Sequence, residues 1–385
     1  MSRRSITVIS LIGYFLVGSI PIMLAPALPF LIRAFNLTLT SAGAVFVARS
    51  AGSFLGVLAG GVLSDRLGRK PVIVAACLLQ GLLMSLVAIS PSWAIITAFF
   101  GLIGFAGGLI NPSINAMIAE ANSERRGAAL NALHGVYSVG AMIGPLVAGF
   151  LLASRHGWRA IFFGGSLIWL LYGLSLLFVK LPASVLKTPG HVRPAVRPLS
   201  LFLNPLFLML FAVSFLYNGT ATSLVSWINT YLDQADFPIL LGAGMVSIFY
   251  LGLAVGRFTC GVLAEKIGYA RLILICAVGS LAFYPIAIYA SPPLLIALGV
   301  LLAGVFFSGL HPTSLAYANR LYPEIGGTVS SLLAIAMTLG AMSVPWITGF
   351  AADMIGFQMS FTINIGLLMV LVMVALLLLR REKRG

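Results

Sequence analysis

One stretch of this chain is written twice, 200 residues apart. Gly61-Val62-Leu63-Ser64-Asp65-Arg66-Leu67-Gly68 returns as Gly261-Val262-Leu263-Ala264-Glu265-Lys266-Ile267-Gly268. Gly140-Ala141-Met142 with Pro145 and Gly149 returns as Gly340-Ala341-Met342 with Pro345 and Gly349, and Asn111-Pro112-Ser113 is matched by His311-Pro312-Thr313. The shared positions are glycines, prolines and charges, the residues that set close approach, bends and ends in apolar helices. The fold must therefore be made of two related halves, and a duplicated bundle of apolar helices is a construction that allows two halves to work against each other around a permeating solute.

Hydrophobic residues make up 60% of the chain and charged residues only 8%, which leaves too little polar surface to cover a soluble globule of 385 residues. Apolar runs long enough to cross roughly 30 Å of hydrocarbon as helix begin near Ser5, Ser41, Val72, Trp93, Ala128 and Ala160, and again near Leu201, Leu240, Leu272, Pro293, Thr328 and Gln358. Helices are required, because lipid satisfies no open backbone group. The expectation is an all-α polytopic membrane protein with twelve transmembrane helices in two pseudo-symmetric six-helix bundles, residues 1–180 and 201–385. Residues 181–200 alternate prolines with basic residues and read as the linker between them. Arg3-Arg4 and the following apolar run resemble a signal peptide, but the same span has a counterpart at the start of the second half, so it is read as a retained helix.

The formal net charge of +14 is a topology signal. With the N-terminus cytoplasmic, Arg66, Arg69, Lys70, Arg125, Arg126, Lys180, Lys266, Arg271, Arg320 and Arg380 fall on that side and only Arg33, Arg155 and Arg159 outside. The positive-inside rule then places both termini and the linker in the cytoplasm of a cell whose inner membrane holds the chain. Nucleic acid is not an expected partner, since these bases are spread over short loops rather than gathered on one soluble face. Cys77, Cys260 and Cys276 are widely spaced within spans and support neither a disulfide framework nor a metal site.

Each residue of Gly61-Val62-Leu63-Ser64-Asp65-Arg66-Leu67-Gly68-Arg69-Lys70 has a physical job. Gly61 is read as a point of close helix approach, Gly68 as a tight turn, Asp65 as a charge near a helix N-terminus, and Arg66 with Arg69 as the cytoplasmic anchor. The stretch resembles the signature loop of the major facilitator superfamily, and the resemblance implies a latch on one access state carried by Gly61, Asp65, Arg66, Gly68 and Arg69. The second copy keeps Gly261, Glu265 and Gly268 but has Tyr269 and Ala270 where the basic pair stood, so its latch is expected to be weaker. Gly135, Gly140, Gly144-Pro145 and Gly149 resemble the superfamily's fifth-helix motif, a stripe of small residues with a proline bend; its copy keeps Gly340, Pro345 and Gly349 and has Val344 in place of the middle glycine. A hinge and plain tight packing are both consistent with it. Gly256-Arg257-Phe258-Thr259, His311-Pro312-Thr313 and Leu130-Asn131-Ala132-Leu133-His134 are similar to the fucose and glucose permease branch, which implies proton-linked uptake of a sugar-sized solute. The first span, however, lacks the carboxylate such a symporter is expected to carry, and Phe100 occupies the place of the drug-antiporter branch's arginine.

A charge near the bilayer centre costs at least about 2.5–3.5 kcal/mol on insertion scales, so Arg49, Glu120, His134, Arg257 and His311 each demand a reason. Arg49 either snorkels or meets an anionic substrate. Arg257 is read as pairing with a headgroup or an acid, with substrate contact as the alternative. Glu120 either joins the cluster of Arg125 and Arg126 or carries a proton. His134 and His311 are candidate proton-coupling groups, since neutral imidazole is tolerated in a membrane and titrates near neutral pH. Asn111, Asn115, Asn131, Asn218, Trp227 and His311 form the candidate substrate set, because amides with flat apolar faces suit a sugar ring. A catalytic function is not expected, since no metal-binding His pair and no positioned nucleophile occurs. The reading is a secondary transporter working by alternating access, without cofactor, as a monomer in the lipid bilayer. Proton-coupled uptake of a small polar solute is expected, and proton-driven efflux of a drug or metabolite is the alternative.

Overall fold

A computed structural model describes residues 3–154, 156–178 and 198–382. The linker read at residues 181–200 lies outside the described residues as far as residue 197, and so does the Asp65 side chain. Among the described residues, twelve helices are long and apolar enough to cross a membrane: α1 Ser5–Phe35, α2 Leu39–Leu67, α3 Arg69–Ile89, α4 Trp93–Ala121, α5 Arg126–Ala153, α6 Gly157–Leu177, α7 Pro205–Gln234, α8 Ile239–Ile267, α9 Tyr269–Tyr289, α10 Pro293–Leu321, α11 Gly326–Ile355 and α12 Phe357–Glu382. No strand occurs among the described residues.

Local chemistry sets the boundaries. Thr38 caps α2 by accepting the Ser41 amide at 3.2 Å, and Ser92 caps α4 through the Ile95 amide. The seventh span begins at Pro205 rather than near Leu201, because Pro198–Leu203 forms a 3-10 turn and Asn204 then caps the helix, accepting the Leu206 amide at 3.0 Å. Within α1, residues Ile20–Met23 tighten to a 3-10 turn around Pro21, which has no amide to donate. Gly68 joins α2 to α3 at φ 85° and ψ 157°, and Gly268 joins α8 to α9 at φ 91° and ψ 151°, a region essentially reserved for glycine.

The chain divides into two compact units, residues 1–191 with 238–244 and residues 192–237 with 245–385. Inside the first, α1 packs on α5, α2 on α4, and α3 on both α4 and α6. Inside the second, α7 packs on α11, and α9 on both α10 and α12. The close approaches recur at the 200-residue spacing. Gly140 admits the backbone of Phe15, and Gly340 that of Phe215; Gly104 admits the Arg49 carbonyl, and Gly304 that of Phe249. A side chain at any of these four positions would collide with backbone, which is how small residues pull membrane helices together.

The fifth-helix stripe shows one departure, and the structure accounts for it. Gly144 receives the Ser19 backbone in the first unit, whereas in the second the small residue has changed sides: Val344 fills the space over Gly219. Gly61 corrects an expectation. A Cβ there, as at Gly261, would meet no atom within 4 Å, so close helix approach is not what calls for glycine at Gly61.

Large apolar side chains such as Leu58, Phe150, Leu171, Phe258 and Met354 are exposed, as on a surface built for lipid. Buried polar groups tie helices together instead. Asn364 on α12 donates to Ser223 Oγ at 3.2 Å and Thr348 Oγ1 at 3.1 Å, joining α7, α11 and α12. Cys260 and Cys276, 16 residues apart on consecutive helices, meet with sulfurs 3.9 Å apart as free thiols.

Candidate functional site

The first unit gathers its polar groups where α1, α4 and α5 meet. Tyr14, 3% exposed, donates its hydroxyl to Asn111 Oδ1 at 2.5 Å and accepts from Asn115 Nδ2 at 2.8 Å. Asn115 also reaches the Asn111 carbonyl oxygen at 2.8 Å, closing a ring of hydrogen bonds. The two asparagines lie one turn apart on α4, and Pro112 between them removes one backbone donor from that turn. His134 on α5 sits edge-on to the Tyr14 ring with centroids 5.4 Å apart, and Tyr137 lies 5.9 Å from the same ring. Asn131 is exposed one turn before His134. Of the expected residues, then, Asn111, Asn115 and His134 come together around Tyr14.

A cavity of about 140 Å³ adjoins this cluster, sharing Asn111 and Tyr137 and lined further by Pro21, Arg49, Ser53 and Gln80. Arg49 donates to the Pro21 carbonyl at 3.4 Å, across the 3-10 turn in α1. Gln80 is 2% exposed and its amide oxygen meets no donor.

The second unit distributes its expected residues differently. His311 stacks on Tyr217, rings 4° from parallel and 6.5 Å apart, and its Nδ1 is buried without a hydrogen-bond partner. Asn218 donates to the Met337 carbonyl at 2.8 Å, tying α7 to α11. Trp227 is fully buried, its indole N–H bonded to the Pro345 carbonyl at 2.7 Å and its ring against Phe357. A side chain so enclosed is a helix tie and not a wall for a solute, which corrects the expectation for Trp227. Pro345, expected as a hinge, is where that tie ends. Arg257 is exposed.

At the signature loop, Arg69 at the start of α3 forms an ion pair with Glu120 at the end of α4. Glu120 therefore answers to Arg69, not to its sequence neighbours Arg125 and Arg126. Lys70 donates to the last carbonyl of α6, Leu177, at 2.9 Å, where a cation is favoured. Arg66 is exposed. The equivalent pair in the second unit, Tyr269 and Arg320, is also in contact: the guanidinium lies over the tyrosine ring, 5.8 Å from its centre. Cation and partner have exchanged helices, and Glu265 accepts from the Tyr269 hydroxyl at 3.0 Å.

The expected set omitted Tyr14, Tyr137 and Gln80. A polar tip or an amide inside an apolar run was the available signal for each, as it was for the asparagines, but a tyrosine in a span reads first as packing.

The family model for the Major Facilitator Superfamily matches residues 10–258 and 241–385. The multi-drug resistance efflux pump PmrA of Streptococcus pneumoniae is 27% identical, with 91% of this chain and 90% of that protein covered. The multidrug resistance protein MdtG of Salmonella typhi is also 27% identical, covering 95% and 93%. Among solved structures, the nucleoside transporter NupG superposes with a TM-score of 0.84 at 15% identity, covering 98% of each chain. The D-xylose-proton symporter does so with a TM-score of 0.76 at 17% identity, covering 98% and 97%. Twelve apolar helices, the duplicated signature loop and a family match over nearly the whole length agree: this chain is a multi-pass membrane transporter and belongs to the Major Facilitator Superfamily.

Proposed function

We propose that this transporter carries a small polar solute, sugar-like in size and hydrogen-bonding character, by alternating access coupled to protons. The observation that carries the reading is the ring of hydrogen bonds among Tyr14, Asn111 and Asn115. Amides and a phenol offer donors and acceptors without fixed charge, and groups already held by one another exchange bonds with a polar solute without leaving buried atoms bare. His134, edge-on to Tyr14, is the group best placed to sense the proton. His311, the repeat counterpart of Asn111, is assigned the same task in the second unit. Asn131, one turn before His134 on α5, and Asn218 on α7 are assigned a supporting role. Glu120, paired with Arg69, is reassigned from proton coupling to the latch, together with Gly68, Asp65 and Arg66. Gly140, Gly144 and Pro145, with Pro345, Gly261 and Glu265 in the second unit, are assigned to conformational change. Both termini face the cytoplasm of an inner membrane, and the monomer is the working unit.

The test is transport by purified protein in liposomes, with radiolabelled glucose, uridine and lactate as probes. A proton symporter accumulates its solute when the outside is acid, and N115A slows that uptake at least tenfold. Uptake indifferent to both the gradient and Asn115 refutes the reading.

A second reading, proton-driven efflux of a drug or metabolite, is favoured by the two resistance proteins at 27% identity. In vesicles of inverted orientation with an acid interior an exporter loads its substrate against a gradient, and ethidium serves as the probe.

A further inference from the structure

The cavity beside the Tyr14 cluster has a chemistry of its own. Arg49 lines it, and no Asp or Glu is among its lining residues. The Arg49 backbone is also closely packed. Gly104 brings α4 against the Arg49 carbonyl so closely that a Cβ would collide, and the guanidinium reaches across to the Pro21 carbonyl at 3.4 Å. An arginine held inside a span at a cavity wall is a functional feature by default, because membrane segments otherwise exclude it. Gln80 lines the same cavity, and its amide oxygen is buried and meets no donor, a condition native interiors rarely leave unanswered. Ser53 and Tyr137 contribute hydroxyls to the lining. The cavity measures about 140 Å³, close to the roughly 150 Å³ that holds one benzene ring.

We propose that this cavity binds a small hydroxy acid, its carboxylate on the Arg49 guanidinium and its hydroxyl donating to Gln80. A guanidinium meets a carboxylate through two parallel N–H bonds, a geometry that an amide or a neutral sugar cannot reproduce. The acceptor on Gln80 then separates a hydroxy acid from a plain one. This inference rests on the reading of the first unit as solute-binding and replaces its sugar-like solute with one that carries a carboxylate.

Binding of three probes to the full chain in phosphatidylcholine nanodiscs tests it by calorimetry: lactate, its amide lactamide, and propionate, which lacks the hydroxyl. Lactate is expected to bind at least tenfold more tightly than either. R49Q removes the preference for lactate over lactamide, and Q80L removes the preference for lactate over propionate while keeping the carboxylate preference. Where R49Q does not fold, the wild-type comparison and Q80L decide. Equal affinity for lactate and lactamide overturns the proposal, as does no binding of lactate. Displacement of lactate by phosphatidylglycerol added to the nanodiscs also overturns it, and makes Arg49 a lipid headgroup site. A protein that fails here and still moves glucose or uridine through Asn115 keeps the transport reading and loses this one. A protein that binds lactate as described without transporting any solute loses the transport reading alone.

Discussion

The exchange of small and large residues between α7 and α11 makes a quantitative prediction. A Cβ at Gly219 would lie 2.5 Å from Val344 Cγ2 and 3.1 Å from Val344 Cβ, so Gly219→Ser drives a side chain into an occupied space. Overpacking of this kind costs about 1–3 kcal/mol. Val344→Gly is destabilising for the opposite reason. It removes a side chain that is 2% exposed, losing packing worth about 1–2 kcal/mol, and places glycine inside a helix at about 1 kcal/mol. Together the two changes recreate the Ser19–Gly144 pairing of the first unit and remove the Val344 clash, leaving the new Cβ 3.2 Å from the Gly340 carbonyl oxygen. The double variant is therefore expected to be more stable than the sum of the singles by about 1–3 kcal/mol, far above the roughly 0.5 kcal/mol within which independent sites add. At about 2–4 °C per kcal/mol for a unit of this size, Gly219→Ser alone lowers the melting temperature by several degrees. Thermal unfolding in detergent, followed by tryptophan fluorescence, reads the effect close to its source, because Trp227 bonds the carbonyl of Pro345 next to Val344. Additive single and double effects would refute the reasoning.

Three further outcomes follow from the same geometry. Tyr14→Phe removes the hydroxyl shared by Asn111 and Asn115 and is expected to weaken solute binding about three- to tenfold, the worth of one hydrogen bond, with helix content by circular dichroism unchanged; equal affinity would dismiss the cluster as a site. Gly68→Ala is expected to cost about 1–3 kcal/mol in thermal unfolding because its backbone region is closed to other residues, whereas Gly61→Ala, with open space around it, gains up to about 1 kcal/mol from helix propensity; the reverse order would contradict the turn assignment. Arg69→Gln and Glu120→Gln are expected to show a coupling energy of about 0.5–1 kcal/mol in a double-mutant cycle, as for partly exposed pairs, shrinking at about 1 M salt as the screening length falls; a coupling indifferent to salt would mean the two do not act as charges.

The twelve spans and the turn glycines were legible because hydropathy and backbone permissiveness are properties of single residues and short runs. What the sequence withheld was which helix faces meet. Tyr14 and Asn111 are 97 residues apart, and nothing local marks them as neighbours. Nearness along the chain offers Glu120 only Arg125 and Arg126 as partners, yet the antiparallel return of α3 and α4 sets it beside Arg69. Trp227 was read as a binding face because its indole is amphipathic, and only packing shows the N–H spent on Pro345. Val344 looked like a defect in a glycine stripe until its partner Gly219 appeared across the helix pair, a compensation visible in the repeat only once α7 and α11 are known to touch.

The most direct measurement is solute accumulation by the reconstituted protein under an imposed proton gradient, wild type beside Asn115→Ala and Tyr14→Phe, with glucose, uridine and lactate as labelled probes. The account predicts that at least one probe accumulates with the gradient in the wild type and falls several-fold or more in both variants. Gradient-driven accumulation that both variants carry out at the wild-type rate would contradict it.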